Sequence, residues 1–245
     1  MFERPRSRGL AAAFFAWLLV VCSGCESEVE TIGPRQDYEV AQHVLEQFIA
    51  DEMATKGLPA LSIALVDDQE IVWARGFGFA DPADSVPASS RTVYRVGSVS
   101  KLFTDIAVMQ LVERNELDLD APISRYLPDF NPTNDFGMPI TLRHLMSHRS
   151  GLVREPPIGH YFDPTEPSLE QTVASLNSTE LVYAPESVVK YSNAAIAAVG
   201  YVLEKTQQES FPAYLDRMVL EPLGMASSAF DPNADIISEL ATGYM

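Results

Sequence analysis

Between Ser98 and Arg114 the chain reads SVSKLFTDIAVMQLVER, and Val99, Leu102, Phe103, Ile106, Met109 and Val112 put apolar side chains on nearly every face of the helix this run predicts. A helix that is apolar all round is stable only when protein covers it on all sides. The rest of the chain must supply that enclosure, and its composition allows one. The chain has 245 residues, 47% of them hydrophobic and 21% charged, which suits one large or two small domains of roughly 100 to 200 residues each. The formal net charge of −17 works against nucleic acid or an anionic membrane surface as a partner, because both call for clustered Lys and Arg.

The first residues predict export. Arg4, Arg6 and Arg8 precede an apolar run from Leu10 to Val21, followed by the small residues Ser23 and Gly24, the order of a cleavable signal peptide over residues 1–24. The run is shorter than the roughly 20 apolar residues of a membrane span. Ser23-Gly24-Cys25 is similar to the lipobox of bacterial lipoproteins, so Cys25 is the expected site of lipidation and the lipid the expected membrane anchor; simple cleavage is the competing reading. Residues 25–36, acidic and carrying Gly33-Pro34, read as a tether, leaving 37–245 as the domain. Only Cys22 and Cys25 are present, so a chain cleaved ahead of Cys25 has one cysteine and no internal disulfide.

Periodicity predicts an opening amphipathic helix over Tyr38–Lys56 that ends at Gly57. Leu61–Val66 and Ile71–Phe79 are predicted to form a hairpin across Asp67-Asp68-Gln69-Glu70. Residues 81–90 read as a loop, 92–96 as a short strand, and the proline-rich stretch 156–167 as irregular. Further helices are expected over 141–146, 194–205 and 211–220.

A serine hydroxyl is a weak nucleophile at neutral pH and needs a base within hydrogen-bond reach. Positions three apart on a helix share a face, so Ser98 at a helix start and Lys101 one turn later can meet, and burial against Phe103 and Ile106 would favour Lys101 as a proton acceptor. The pattern S-x-x-K occurs twice. Ser187-Val188-Val189-Lys190 follows Pro185 and is predicted to be extended, where positions three apart point to opposite faces.

The surroundings of Ser98, TVYRVGSVSKLFT, and the later KYSNAAIAAVGYVLEK with Tyr191 and Asn193 resemble the first two signature motifs of the penicillin-recognising serine hydrolases. That family comprises class C β-lactamases, D-alanyl-D-alanine carboxypeptidases and related esterases. LRHLMSHRSGL at 142–152 and MVLEPLGM at 218–225 resemble connecting segments of the class C branch, and the resemblance runs from about Ala60 to the end. It implies an α+β fold, an antiparallel sheet (here mainly its N-terminal hairpin) with a large helical region. It also implies roles: Ser98 as the acylated nucleophile with its backbone N–H as half of an oxyanion hole, Lys101 taking or relaying its proton, Tyr191 as phenolic base and later acid, and Asn193 holding Lys101 and the substrate amide. The implied substrate is a β-lactam, a D-alanyl or other peptidoglycan-type peptide, or an ester, with no cofactor and no metal.

The chain departs from the family at Glu186, where relatives usually carry Gly, and it lacks the third motif, a Lys or His two places before a Gly. The expectation is therefore an incomplete domain, the front portion of a longer one, with little turnover by itself. A non-catalytic member that binds peptidoglycan or a partner protein is the alternative. His144 and His148 have the spacing of a helical zinc pair, with His160 as a third candidate, but Leu145 stands where a metalloprotease needs Glu, so packing and helix-end hydrogen bonds are expected of them. Glu166 in EPSLE reads as solvated loop.

Overall fold

The computed structural model describes residues 38–244; the expected leader, the tether and Cys25 lie outside them. The chain divides into two compact units, one running to Leu58 and including Leu65–Trp73, the other made of Pro59–Ala64 and Ala74 onward.

In the first unit, α1 (Glu39–Lys56) carries an acid in its first turn and Lys56 in its last, the polarity that the helix dipole favours. It stops where expected, at Gly57, whose left-handed φ of 65° lets its N–H reach Met53 O. The apolar face read from the sequence is there, but among the described residues only Ile49 of this helix is buried, while Val40, Val44 and Phe48 stay exposed. The Tyr38 hydroxyl donates to the Asp67 carboxylate.

The predicted hairpin forms as β1 (Ala60–Asp67) and β2 (Glu70–Asp81). Its two connecting residues, Asp68 and Gln69, both have positive φ, as the tightest hairpin turns require. The predicted loop 81–90 contains a two-residue strand, β3 (Val86–Pro87), paired antiparallel with β2 through Phe79↔Pro87 and Asp81↔Val86 in the sheet order β1-β2-β3. Proline is tolerated there because an edge strand needs no ladder donor on its outer side. The strand expected over 92–96 is reduced to a parallel bridge between Val93 and Leu240, with Val93 N–H donating to Glu239 O and Ala241 N–H to Val93 O.

The second unit holds the helices α2 (Ser100–Glu113), α3 (Leu142–Met146), α4 (Leu169–Ser175), α5 (Asn193–Gln207), α6 (Phe211–Leu215) and α7 (Ala234–Ser238). The helix enclosed on almost every side is α5, which buries Ala194, Ala195, Ile196, Ala198, Val199, Gly200, Val202 and Leu203 and packs against α2, α3, α4 and α6. Small residues explain this, since they let four neighbours approach one axis. The expectation that the helix from Ser98 is buried all round is corrected: Thr104, Ala107, Val108 and Leu111 of α2 are buried, whereas Leu102 and Met109 are 59% and 41% exposed and Val99, just ahead of α2, is 57% exposed. The described helices cover one face of α2 only. The helix predicted over 211–220 is α6 continued by a π turn over Asp216–Leu220. Pro156–Pro167 is irregular as expected, and α4, which periodicity did not reveal, starts at Ser168 with a reciprocal cap to Gln171.

Candidate active site

Gly97 turns the chain at φ 53° into a short 3-10 turn, Gly97–Val99, that runs directly into α2. Ser98 is thereby presented at the head of the helix with an exposed side chain, and Lys101 lies one turn further on. The i, i+3 pairing expected from the sequence forms, with Lys101 Nζ donating to Ser98 Oγ at 3.2 Å. The second partner comes from 93 residues away in the chain: the Tyr191 hydroxyl is 2.5 Å from Ser98 Oγ. The ammonium of Lys101 also sits 4.9 Å from the centre of the Tyr191 ring. Partial burial pushes the Tyr191 phenol up, but hydrogen bonds from Lys101 and Ser98 and the positive charges of Lys101 and Arg154 outweigh it, and the net result is a phenol held below its ordinary value.

Tyr191 reaches this place because residues 182–193 are laced to residues 148–154. Val182 N–H donates to Gly151 O at 2.8 Å, Glu186 N–H to Arg149 O at 2.8 Å, Lys190 N–H to His148 O at 2.8 Å and Asn193 N–H to Arg154 O at 2.7 Å. Gly151 is required in this frame: its φ is +76° and an added Cβ would stand 1.9 Å from Tyr183 O. Ser192, fully buried, donates to Val153 O at 2.6 Å and caps α5 by accepting Ala195 N–H at 2.9 Å.

Asn193 opens α5 and turns its amide toward Glu155, with Nδ2 donating to Oε1 at 2.7 Å. Arg154 lies 5.6 Å from the Tyr191 ring centre, and the His148 ring stacks on that ring at 4.5 Å. Sequence reasoning assigned neither Arg154 nor Glu155 to the site. Their order in the chain gives no hint of it, because only the pairing of the two segments brings them there.

The remaining candidates settle elsewhere. Ser187 donates to Ala184 O at 2.6 Å and the Lys190 ammonium lies over the Tyr183 ring, so the second S-x-x-K does not form a pair. His144 completes the cap of α3: Thr141 accepts its N–H, while its Nδ1 accepts Thr141 N–H at 3.3 Å. Its Nε2 faces the Glu186 carboxylate at 3.3 Å, which Arg149 also approaches at 3.6 Å. Glu186 itself sits at φ 68°, the left-handed region that explains why Gly suits this position. Glu166 lies on the exposed loop. Among the described residues no cluster of His, Cys, Asp or Glu has the makings of a metal site.

A serine and a lysine one turn apart at the head of α2 thus meet a distant tyrosine that directly precedes the Ser192 cap of the buried helix α5. The chain belongs to the β-lactamase family, whose model matches residues 45–245, within the superfamily of serine β-lactamases, penicillin-binding proteins and related esterases. It is 34% identical over 174 residues to the esterase EstB of Burkholderia gladioli, covering 66% of this chain and 44% of that protein. It is 27% identical over 220 residues to the D-alanyl-D-alanine-carboxypeptidase/endopeptidase AmpH of Escherichia coli K12, covering 88% and 57%. Among solved structures, the octameric penicillin-binding protein homologue from Pyrococcus abyssi superposes with a TM-score of 0.72 at 31% identity, over 84% of this chain and 48% of that one. The α+β, β-lactamase/transpeptidase-type fold is thereby established, and the chain spans about half the length of the curated relatives it matches.

Proposed function

We propose that this protein is a serine hydrolase working through an acyl-enzyme on Ser98, with a β-lactam, a D-alanyl peptide or an ester as substrate. The observation that carries the reading is the convergence on Ser98 Oγ of the Tyr191 hydroxyl at 2.5 Å and Lys101 Nζ at 3.2 Å. As Oγ attacks the carbonyl carbon, its proton passes to the Tyr191 oxygen, whose anionic form the Lys101 and Arg154 charges favour. The carbonyl oxygen becomes an oxyanion for which the Ser98 N–H, at the head of the helix, is one donor. Tyr191 then returns the proton to the departing amine or alcohol, and the same phenol activates the water that releases the acyl group.

The test is labelling with a fluorescent penicillin and a fluorophosphonate, beside Ser98→Ala and Ser187→Ala. Loss of label in Ser98→Ala alone is the expected result. Label that survives Ser98→Ala and disappears in Ser187→Ala refutes the assignment, and a folded protein that takes up neither probe supports the non-catalytic alternative, a binder of peptidoglycan or protein. Export and anchoring at Cys25 belong to the same proposal: Cys25→Ala is expected to abolish incorporation of a labelled fatty acid and release the protein from the bacterial envelope.

A further inference from the structure

We propose that His148 is the positioning residue of Tyr191, and that its neutral imidazole, with Nδ1 as a hydrogen-bond acceptor, is the form that holds the phenol at Ser98. The proposal rests on the acyl-enzyme reading above and goes beyond it in assigning a group outside the Ser98, Lys101 and Tyr191 set.

His148 touches three consecutive residues. Its carbonyl accepts Lys190 N–H at 2.8 Å, its ring lies on the Tyr191 ring at 4.5 Å with a 40° tilt, and its Nδ1 accepts Ser192 N–H at 3.3 Å. The phenol is thereby fixed through the backbone on both sides and through one face of its ring. His148 does this from a left-handed backbone at φ 58°, a conformation that is unfavourable for a residue with a β-carbon and that persists where the surroundings over-determine it. They do so here: next to it, Arg149 N–H donates to His144 O at 2.7 Å and Arg149 O accepts Glu186 N–H at 2.8 Å.

Only the neutral ring fits. The backbone N–H of Ser192 is a fixed donor, so a proton on Nδ1 would set donor against donor. An imidazolium would also be a third cation around Tyr191, beside Lys101 from α2 and Arg154 at 5.6 Å. The other charged groups nearby are otherwise engaged, Lys190 over the Tyr183 ring, Arg149 with Glu186, and Glu155 with Arg154 and the Asn193 amide. Burial, then the charge of Lys101, hold the imidazole below the ordinary histidine range. As pH falls through that lowered value the Ser192 bond is lost and the phenol is released from its place.

The experiment follows the rate of fluorophosphonate labelling at Ser98 against pH for the wild type, His148→Ala and His148→Asn, with the Ser192 amide signal followed by NMR in the wild type. Asparagine tolerates the left-handed backbone, offers an acceptor to Ser192 N–H and does not titrate. His148→Ala is expected to label roughly 10- to 100-fold more slowly at neutral pH, the scale of a misplaced catalytic group. His148→Asn is expected to recover most of that rate and to lose the acid limb of the wild-type profile. In the wild type, the Ser192 amide is expected to titrate together with the His148 ring. An unchanged acid limb in His148→Asn, or a Ser192 amide indifferent to the His148 titration, overturns the proposal. A wild type that labels at no pH counts against the hydrolase reading instead, and the Ser192 titration then decides the role of His148 alone.

Discussion

Asp105, four residues beyond Lys101 on α2, is half-buried, and its Oδ1 has no hydrogen-bond partner. Burial pushes its carboxyl up to about 6, against an ordinary value near 4. The folded state thus holds the Asp105 proton more tightly than the unfolded chain does. The contribution of Asp105 to stability is therefore expected to fall as pH rises from about 4 to about 6 and to stay lower above that, because at this group the unfolded state then binds fewer protons than the native one. A shift of about two units corresponds to about 3 kcal/mol as a ceiling; solvent screening at this half-exposed position reduces it to about 1 kcal/mol. Asp105→Asn preserves shape and removes the charge, so it is expected to be more stable than the wild type by that amount above about pH 7 and to match it below about pH 4. Urea unfolding of both proteins at the two pH values, read as midpoints at equal slope, measures this directly. An Asn variant with the wild-type midpoint at the higher pH refutes the assignment of Asp105 as a half-buried carboxyl with an unpartnered Oδ1.

Gly151→Ala forces a β-carbon to within 1.9 Å of Tyr183 O at a φ of +76°, and a loss of about 3 kcal/mol or more is expected in the same unfolding assay; a loss below about 1 kcal/mol means that the frame yields easily. Glu186→Gly relieves the backbone at φ 68° while giving up the contacts to His144 and Arg149, whereas Glu186→Ala gives up the contacts and keeps the strain. The Gly variant is expected to be the more stable of the two by about 1 kcal/mol, and the reverse order contradicts the strain argument. Arg154→Ala removes one of the charges that lower the Tyr191 phenol, so the tyrosinate absorbance of Tyr191, isolated by difference against Tyr191→Phe, is expected to appear at higher pH than in the wild type. An unmoved titration rules out the influence of Arg154.

The Ser98–Lys101 contact was legible in the sequence because both residues lie within one turn, and the geometry of one turn is fixed. α1 was legible in its bounds because Gly57 marks its end. The burial of α2 was misread: hydropathy reports which side chains are apolar but not which faces find a cover, so Leu102 and Val108 look alike in the sequence and differ completely in exposure. α4 was missed by periodicity although Ser168 and Gln171, three apart, carry the signature of a reciprocal cap. Tyr191 was reached through family resemblance, since no local rule connects it with Ser98. Arg154, Glu155 and the stacking of His148 depend on hydrogen bonds between 148–154 and 182–193, whose register is set by backbone groups that every residue shares.

Ser192 carries a consequence of its own. In the pattern Y-x-N it is the silent letter, yet its hydroxyl bridges Val153 O and Ala195 N–H in a site closed to solvent. In a library randomised across 191–193, the middle codon is therefore expected to tolerate the fewest substitutions for folding, and a search that treats it as a wildcard discards the position that joins the tyrosine to its helix.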